Sequence, residues 1–242
     1  MTFRPIAGGL LLLSCLTSLV GCATVGTSPH TYAEPTQRPA IENSIVLAEP
    51  FDAVWDRLVG RLATGFFVIN NIDKASRLIN VSFSSDSPQQ YIDCGTTTRH
   101  FSTKQETQTY KYLVAEDSTF KHATAWGPYK NLQAIAVMTR NTSLEGRINV
   151  YVAPTLLSET KVSVNTKYVF TASVSGIATG YNAFGQVAQQ ERVPESSSSA
   201  DFTTAERKVK NWATDGTVEN ITCQATGELE RTLLSMARAT VN

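Results

Sequence analysis

Three runs in the second half of the chain, Leu132 to Thr139, Gly146 to Val152 and Lys161 to Phe170, alternate apolar with polar side chains or are dense in β-branched residues. A period of two fits a strand with one buried and one wet face. The connections, Arg140 to Glu145 and Ala153 to Thr160, are short, and Asn141, Gly146 and Pro154 supply turn chemistry. Strands joined so closely pair antiparallel, because a parallel pair needs a long crossover. The pattern predicts an antiparallel meander and disfavours a parallel α/β sheet.

Upstream, Ser44 to Ala48 reads as a short strand, and Phe51, Val54, Trp55, Leu58 and Leu62 then recur at spacings of three and four. That stripe predicts a helix with one buried face, Pro50 in its first turn and Gly65 at its end. Asp52 and Asp56 share the helix as solvated charges near its amino terminus rather than as a catalytic carboxylate pair. Phe66 to Ile72 and Leu78 to Phe83 form a β-rich pair around the turn residues Asp73 to Ser76, which predicts a hairpin. Near the end of the chain, Gly216 to Cys223 reads as extended. Leu229, Leu233, Met236 and Ala237 then form a second helical stripe behind a capping signal at Thr226. Two amphipathic helices need a sheet face to cover, so the expected fold class is α+β, an antiparallel sheet packed by two helices.

The helix marked by Phe51-Asp-Ala-Val-Trp55, followed by Phe67-Val-Ile-Asn-Asn-Ile-Asp73 and Leu78-Ile-Asn-Val81, resembles the helix-grip domains of envelope lipoproteins such as BamC. The likeness is confined to Phe51 to Val81 and carries no catalytic motif. It implies a helix-grip-like arrangement.

Residues 1–21 have the layout of a secretory signal: Arg4, an apolar stretch from Ile6 to Val20, and small residues before a cleavage point. Leu19-Val-Gly-Cys22 is similar to the lipobox of bacterial lipoproteins, where a small residue precedes the cysteine that opens the mature chain. The resemblance implies that Cys22 carries a thioether-linked diacylglycerol and an acyl group on its new amino terminus. At about 0.8 kcal/mol per buried methylene, such chains hold a protein on a bilayer without a spanning helix. Ala23, where retained lipoproteins of enterobacterial type carry Asp, implies transport to the outer membrane, facing the periplasm. Residues 22–43, rich in Thr, Ser and Pro, read as a flexible tether with a reach of about 25 Å. Residues 44–242 are expected to form a single α+β domain, the alternative being two small domains divided within Ser84 to Asn131.

On the lipoprotein reading, Cys15 leaves with the signal and Cys22 is lipidated, so Cys94 and Cys223 remain in an oxidising compartment and are expected to form a disulfide. Two free buried thiols are the alternative. His30, His100 and His122 are scattered without ligand spacing, so neither a metal nor another cofactor is expected.

Two segments lack a clear period. The stretch at about 84–131 is expected to be an insertion, with Trp126 and Tyr129 in a turn as possible partner contacts. The stretch at about 173–216 is expected to be a mobile loop. Its Gly176, Gly180 and Gly185 are spaced too widely for a dinucleotide fingerprint, and Tyr181 and Phe184 could touch a partner or the lipid surface, or cap the sheet edge.

Lys and Arg number 21 against 21 Asp and Glu, scattered without long runs, which does not favour nucleic acid. No Gly-x-Ser-x-Gly elbow supports a hydrolase. The expectation is a non-enzymatic outer-membrane lipoprotein that serves as an assembly or scaffolding component with an envelope protein partner. A carrier of lipid or another hydrophobic ligand is the alternative.

Overall fold

A computed structural model describes residues 26–38, 40–124, 133–156, 158–182, 184–214 and 217–239. The first half of the chain forms β1 (His30–Ala33), β2 (Ser44–Leu47), α1 (Phe51–Thr64), β3 (Val68–Asp73), β4 (Leu78–Ser85), β5 (Ile92–Asp93), β6 (Thr96–Ser102), β7 (Thr107–Leu113) and β8 (Ser118–Thr124). The second half forms β9 (Gln133–Leu156), β10 (Glu159–Tyr181), β11 (Val187–Thr203), β12 (Arg207–Thr214), β13 (Thr217–Ala225) and α2 (Glu228–Ala237).

The spine is the hairpin of β9 and β10, in antiparallel register from Leu156 opposite Glu159 to Gln133 opposite Tyr181. At about 3.4 Å per residue, a hairpin of this length extends about 75 Å. The other strands of the largest sheet flank it in two tiers. Near its turn, β4 and then β3 lie beyond β9, and β2 lies beside β10. Farther out, β8 takes over along β9 and β11 along β10, so the sheet continues as a four-stranded arm. Two smaller antiparallel sheets, ordered β1-β6-β7 and β12-β13-β5, complete the fold.

The helices cover the tier nearest the hairpin turn. α1 buries Val54, Trp55, Leu58 and Leu62, and α2 buries Leu229, Leu233, Leu234 and Ala237. They join one apolar cluster with Ile148, Val150, Val152, Val162 and Val164 of the spine, which alternate with exposed residues as the pleat requires. The helices also meet each other. Arg57 donates to the carbonyl of Ala237 at 2.9 Å and Arg61 to that of Met236 at 2.9 Å, which satisfies carbonyls at the end of α2 that have no partner within the helix. In the arm a second, smaller cluster gathers Phe120, Ala136, Met138, Val174 and Ala178 under Tyr110 and Tyr112.

This architecture corrects the expected fold class. The described chain is mostly strand, in three antiparallel sheets with two helices, and a helix-grip-like α+β sheet packed by two helices does not fit it. The physical reason lies in which residues fill buried positions. The stretch 84–131 holds β5 to β8, and 173–216 holds the outer part of β10, then β11 and β12. Their inward positions are often taken by small or hydroxyl-bearing residues, such as Thr97, Ala178, Ala200 and Thr204, so the strand period is faint in hydrophobicity.

The three expected strands are in fact two. Residues 140–145 do not turn but continue β9, and Gly146 lies within that strand opposite Phe83. A Cβ built there would stand 1.9 Å from Cε1 of Phe83, so the glycine leaves room for an aromatic ring rather than for a bend. The actual turn falls between Leu156 and Glu159.

Candidate functional site

The segment read as a tether is strapped to the body. β1 pairs with β6 from His30 opposite Arg99 to Ala33 opposite Thr96, and Thr27 bridges to Ser102. His30 Nε2 lies 3.0 Å from a Glu219 carboxylate oxygen. Arg207 donates to Glu34 at 2.8 Å, Gln224 donates to the Thr36 carbonyl at 2.8 Å, and Arg38 meets Asp93 at 3.2 Å. The strap thus ties β6 to β12 and β13.

Tyr32 is the centre of this junction. Its hydroxyl accepts the backbone N–H of Thr222 at 2.8 Å and lies 3.1 Å from the Cys94 carbonyl, to which it donates. Burial pushes its phenol above the ordinary tyrosine range. One residue beyond Thr222, Cys223 forms a disulfide with Cys94 across a separation of 129 residues. Gly95 has φ of 80°, and a Cβ there would stand 2.3 Å from the Ala33 carbonyl oxygen, so only glycine lets strap and β6 approach so closely. Near its start, the strap runs toward the outer end of the arm. Ser28 Oγ accepts the backbone N–H of Ala123 at 2.7 Å, and Gly26 sits beside Ser102, Thr103 and Ala123.

The arm ends in a tight turn between β10 and β11. Asn182 Oδ1 accepts the backbone N–H groups of Phe184 at 3.0 Å and Gln186 at 2.9 Å. The backbones of Asn182 and Gly185 close the turn further, with Gly185 at φ of 75°. Phe184 stands at its apex 88 % exposed, and Val187 follows 59 % exposed. A hydrogen-bonded turn therefore presents an aromatic ring to solvent.

Two polar groupings elsewhere are closed on themselves. Arg140 donates to the carbonyls of Glu116 and Val114, while Arg99 lies over the Phe120 ring at 4.5 Å and donates to Tyr112 at 2.8 Å. With Thr97, Trp212 and Glu219 they line a cavity of about 10 Å³, room for at most one water molecule. Glu230 is fully buried and accepts from Tyr168 at 2.9 Å and Thr204 at 2.7 Å. These groups bind the fold's own hydroxyls, carbonyls and rings and leave no room for an organic ligand between them.

Of the residues singled out in sequence, Cys94 and Cys223 are brought together as a disulfide. Tyr181 closes β10 half-buried, and Phe184 lies three residues on at the exposed apex. Cys22, Trp126 and Tyr129 lie outside the described residues. Among the described residues, no group of three or more His, Cys, Asp or Glu is placed to hold a metal ion, and no helix is long and apolar enough to cross a membrane. The strap was hidden from sequence reasoning because its contacts are polar and nearly all distant along the chain. Tyr32, the one Phe, Trp or Tyr side chain between Ala23 and Asn43, is the signal that the sequence offers. No protein-family model, curated protein or solved structure matches the chain.

Proposed function

We propose that the chain is a non-enzymatic lipoprotein, anchored through Cys22 to the outer membrane on its periplasmic side, where it serves as an assembly or scaffolding component of an envelope complex. The lipobox-like Leu19 to Cys22 is the basis for the anchor, and the Cys94–Cys223 disulfide suits an oxidising compartment. The observation that carries the scaffold reading is the strap. Four residue steps separate Cys22 from Gly26, a reach of at most about 14 Å, after which the chain is paired to the body. A protein held this short presents fixed surfaces at a fixed height above its membrane, which suits positioning a partner better than shuttling a cargo.

The test is a crosslinked pull-down of the lipidated protein from its native envelope, with mass spectrometry of recovered proteins and lipids. A stoichiometric protein partner is expected. A retained lipid without a protein partner would replace the scaffold with a carrier.

A further inference from the structure

The strap and the arm point to the same place. Between His30 and Gly26 the chain advances from its pairing with Arg99 to a position beside Ser102 and Ala123, toward the outer end of β8. Ala123 pairs with Ile135 of β9, whose neighbour on β10 is Thr179, so the strap starts level with the last residues of the arm. Phe184 stands only five residues beyond Thr179, at the apex of the arm. The start of the described chain at Gly26 and the exposed aromatic apex therefore lie at one end of the molecule. The turns at Asp73 to Arg77 and Leu156 to Glu159 mark the opposite end.

The composition of the apex suits a bilayer. From Tyr168 to Gln190 no residue is charged, although β10 and β11 both reach solvent along this stretch. Lys167 and Glu191 bound that interval. Within it the turn is closed by Asn182 and holds Phe184 and Val187 outward, so the ring pays little ordering entropy when it meets an apolar phase. Aromatic side chains with polar neighbours are favoured at the headgroup level of membranes, and one lipid-linked residue holds more firmly when a second contact assists it.

We propose that the β10–β11 apex, led by Phe184, inserts into the interfacial layer of the same bilayer that holds Cys22, giving the protein two membrane contacts and one orientation. The proposal rests on the lipid-anchor reading, and its test separates the two. Phe184→Cys is labelled with an environment-sensitive fluorophore on the full lipidated protein, with Ala75→Cys in the turn at the far end as control. Both are reconstituted into phosphatidylethanolamine and phosphatidylglycerol vesicles with or without nitroxide-labelled lipid. Expected is a blue shift and loss of fluorescence to the nitroxide at position 184, and neither at position 75. Equal quenching at the two positions on protein that floats with vesicles overturns the apex contact and leaves the anchor standing. A label at 184 shielded from both water and nitroxide places a protein partner there and overturns it equally. Unchanged flotation in Cys22→Ala, or absence of acyl mass on Cys22, overturns the anchor alone. A wild-type chain that neither carries acyl groups nor floats overturns both.

Discussion

The hydroxyl of Tyr168 lies 2.9 Å from a carboxylate oxygen of Glu230, and both side chains are fully buried. The pair fastens α2 to the spine, and Thr204 adds a second donor from the turn between β11 and β12. Hydrogen bonds to a charged group contribute about 1.5 to 3 kcal/mol. Tyr168→Phe is expected to lower the unfolding free energy by about 2 kcal/mol in urea titration. Glu230→Ala is expected to cost more, because it leaves two buried hydroxyls without their acceptor and opens space beneath α2.

The same pair has an alkaline signature. Burial, then the Glu230 charge, holds the Tyr168 phenol well above the ordinary tyrosine range. The folded phenol stays protonated when the unfolded one ionises near pH 10, so its contribution is intact below about pH 10 and is lost progressively above it. Tyr168→Phe is expected to flatten the fall in stability above about pH 10, leaving the smaller slope due to Tyr32, whose phenol is also raised. A loss of stability above pH 10 as steep in the variant as in the wild type would refute this assignment.

Tyr32→Phe tests the strap. Removing the hydroxyl deprives the Thr222 amide of its acceptor, with an expected cost of about 1 to 3 kcal/mol. Hydrogen exchange should accelerate at Thr222 and along β1, and proteases should cut residues 26–38 sooner, while the amides of β9 and β10 keep their protection. Uniform acceleration across the spine would show that strap and body open together.

The disulfide closes a loop spanning most of the folded chain. Cys94→Ser with Cys223→Ser is expected to reduce stability by up to about 5 kcal/mol in the chain-entropy picture. Because Cys223 lies just before α2 and Thr222 bonds Tyr32, the loosened elements should be α2 and the strap. Limited proteolysis of the reduced protein checks this, and first cleavage in the arm would contradict it.

Gly146→Ala places a methyl group into the Phe83 ring. Displacing that ring from the core is expected to cost about 1 to 3 kcal/mol, with Phe83→Ala in the same chain relieving part of the added penalty. A double variant whose loss equals the sum of the single losses would show that the two positions are not coupled.

These residues also show what was legible. The helix through Val54, Trp55, Leu58 and Leu62 and the strand carrying Ile79, Val81 and Phe83 were readable because their periods are written in large apolar side chains facing one core. The terminal helix was readable for the same reason. Gly146 and Asn141 misled because glycine and asparagine signal a turn locally, whereas here one accommodates Phe83 and the other lies in a strand paired across to Ser173. The Gly- and Ser-rich stretch after Ser173 misled similarly. Gly176 tolerates close approach of Val137 and Met138, and Ser196 to Ser199 fill an edge strand whose buried residues, Ala200 and Phe202, come only afterwards. Phe184, singled out from its setting amid glycines, stands exposed at the turn between β10 and β11. Tyr32 was missed because its partners, Cys94 and Thr222, lie 62 and 190 residues away.

That separation governs how the protein is made. A chain synthesised from its amino terminus presents Tyr32 and His30 early, yet their partners Thr222 and Glu219 emerge almost last. Docking of the strap must therefore wait until synthesis is nearly complete, and Cys94 must await Cys223 in the same way. The junction around Tyr32 is therefore among the last parts of the fold to close.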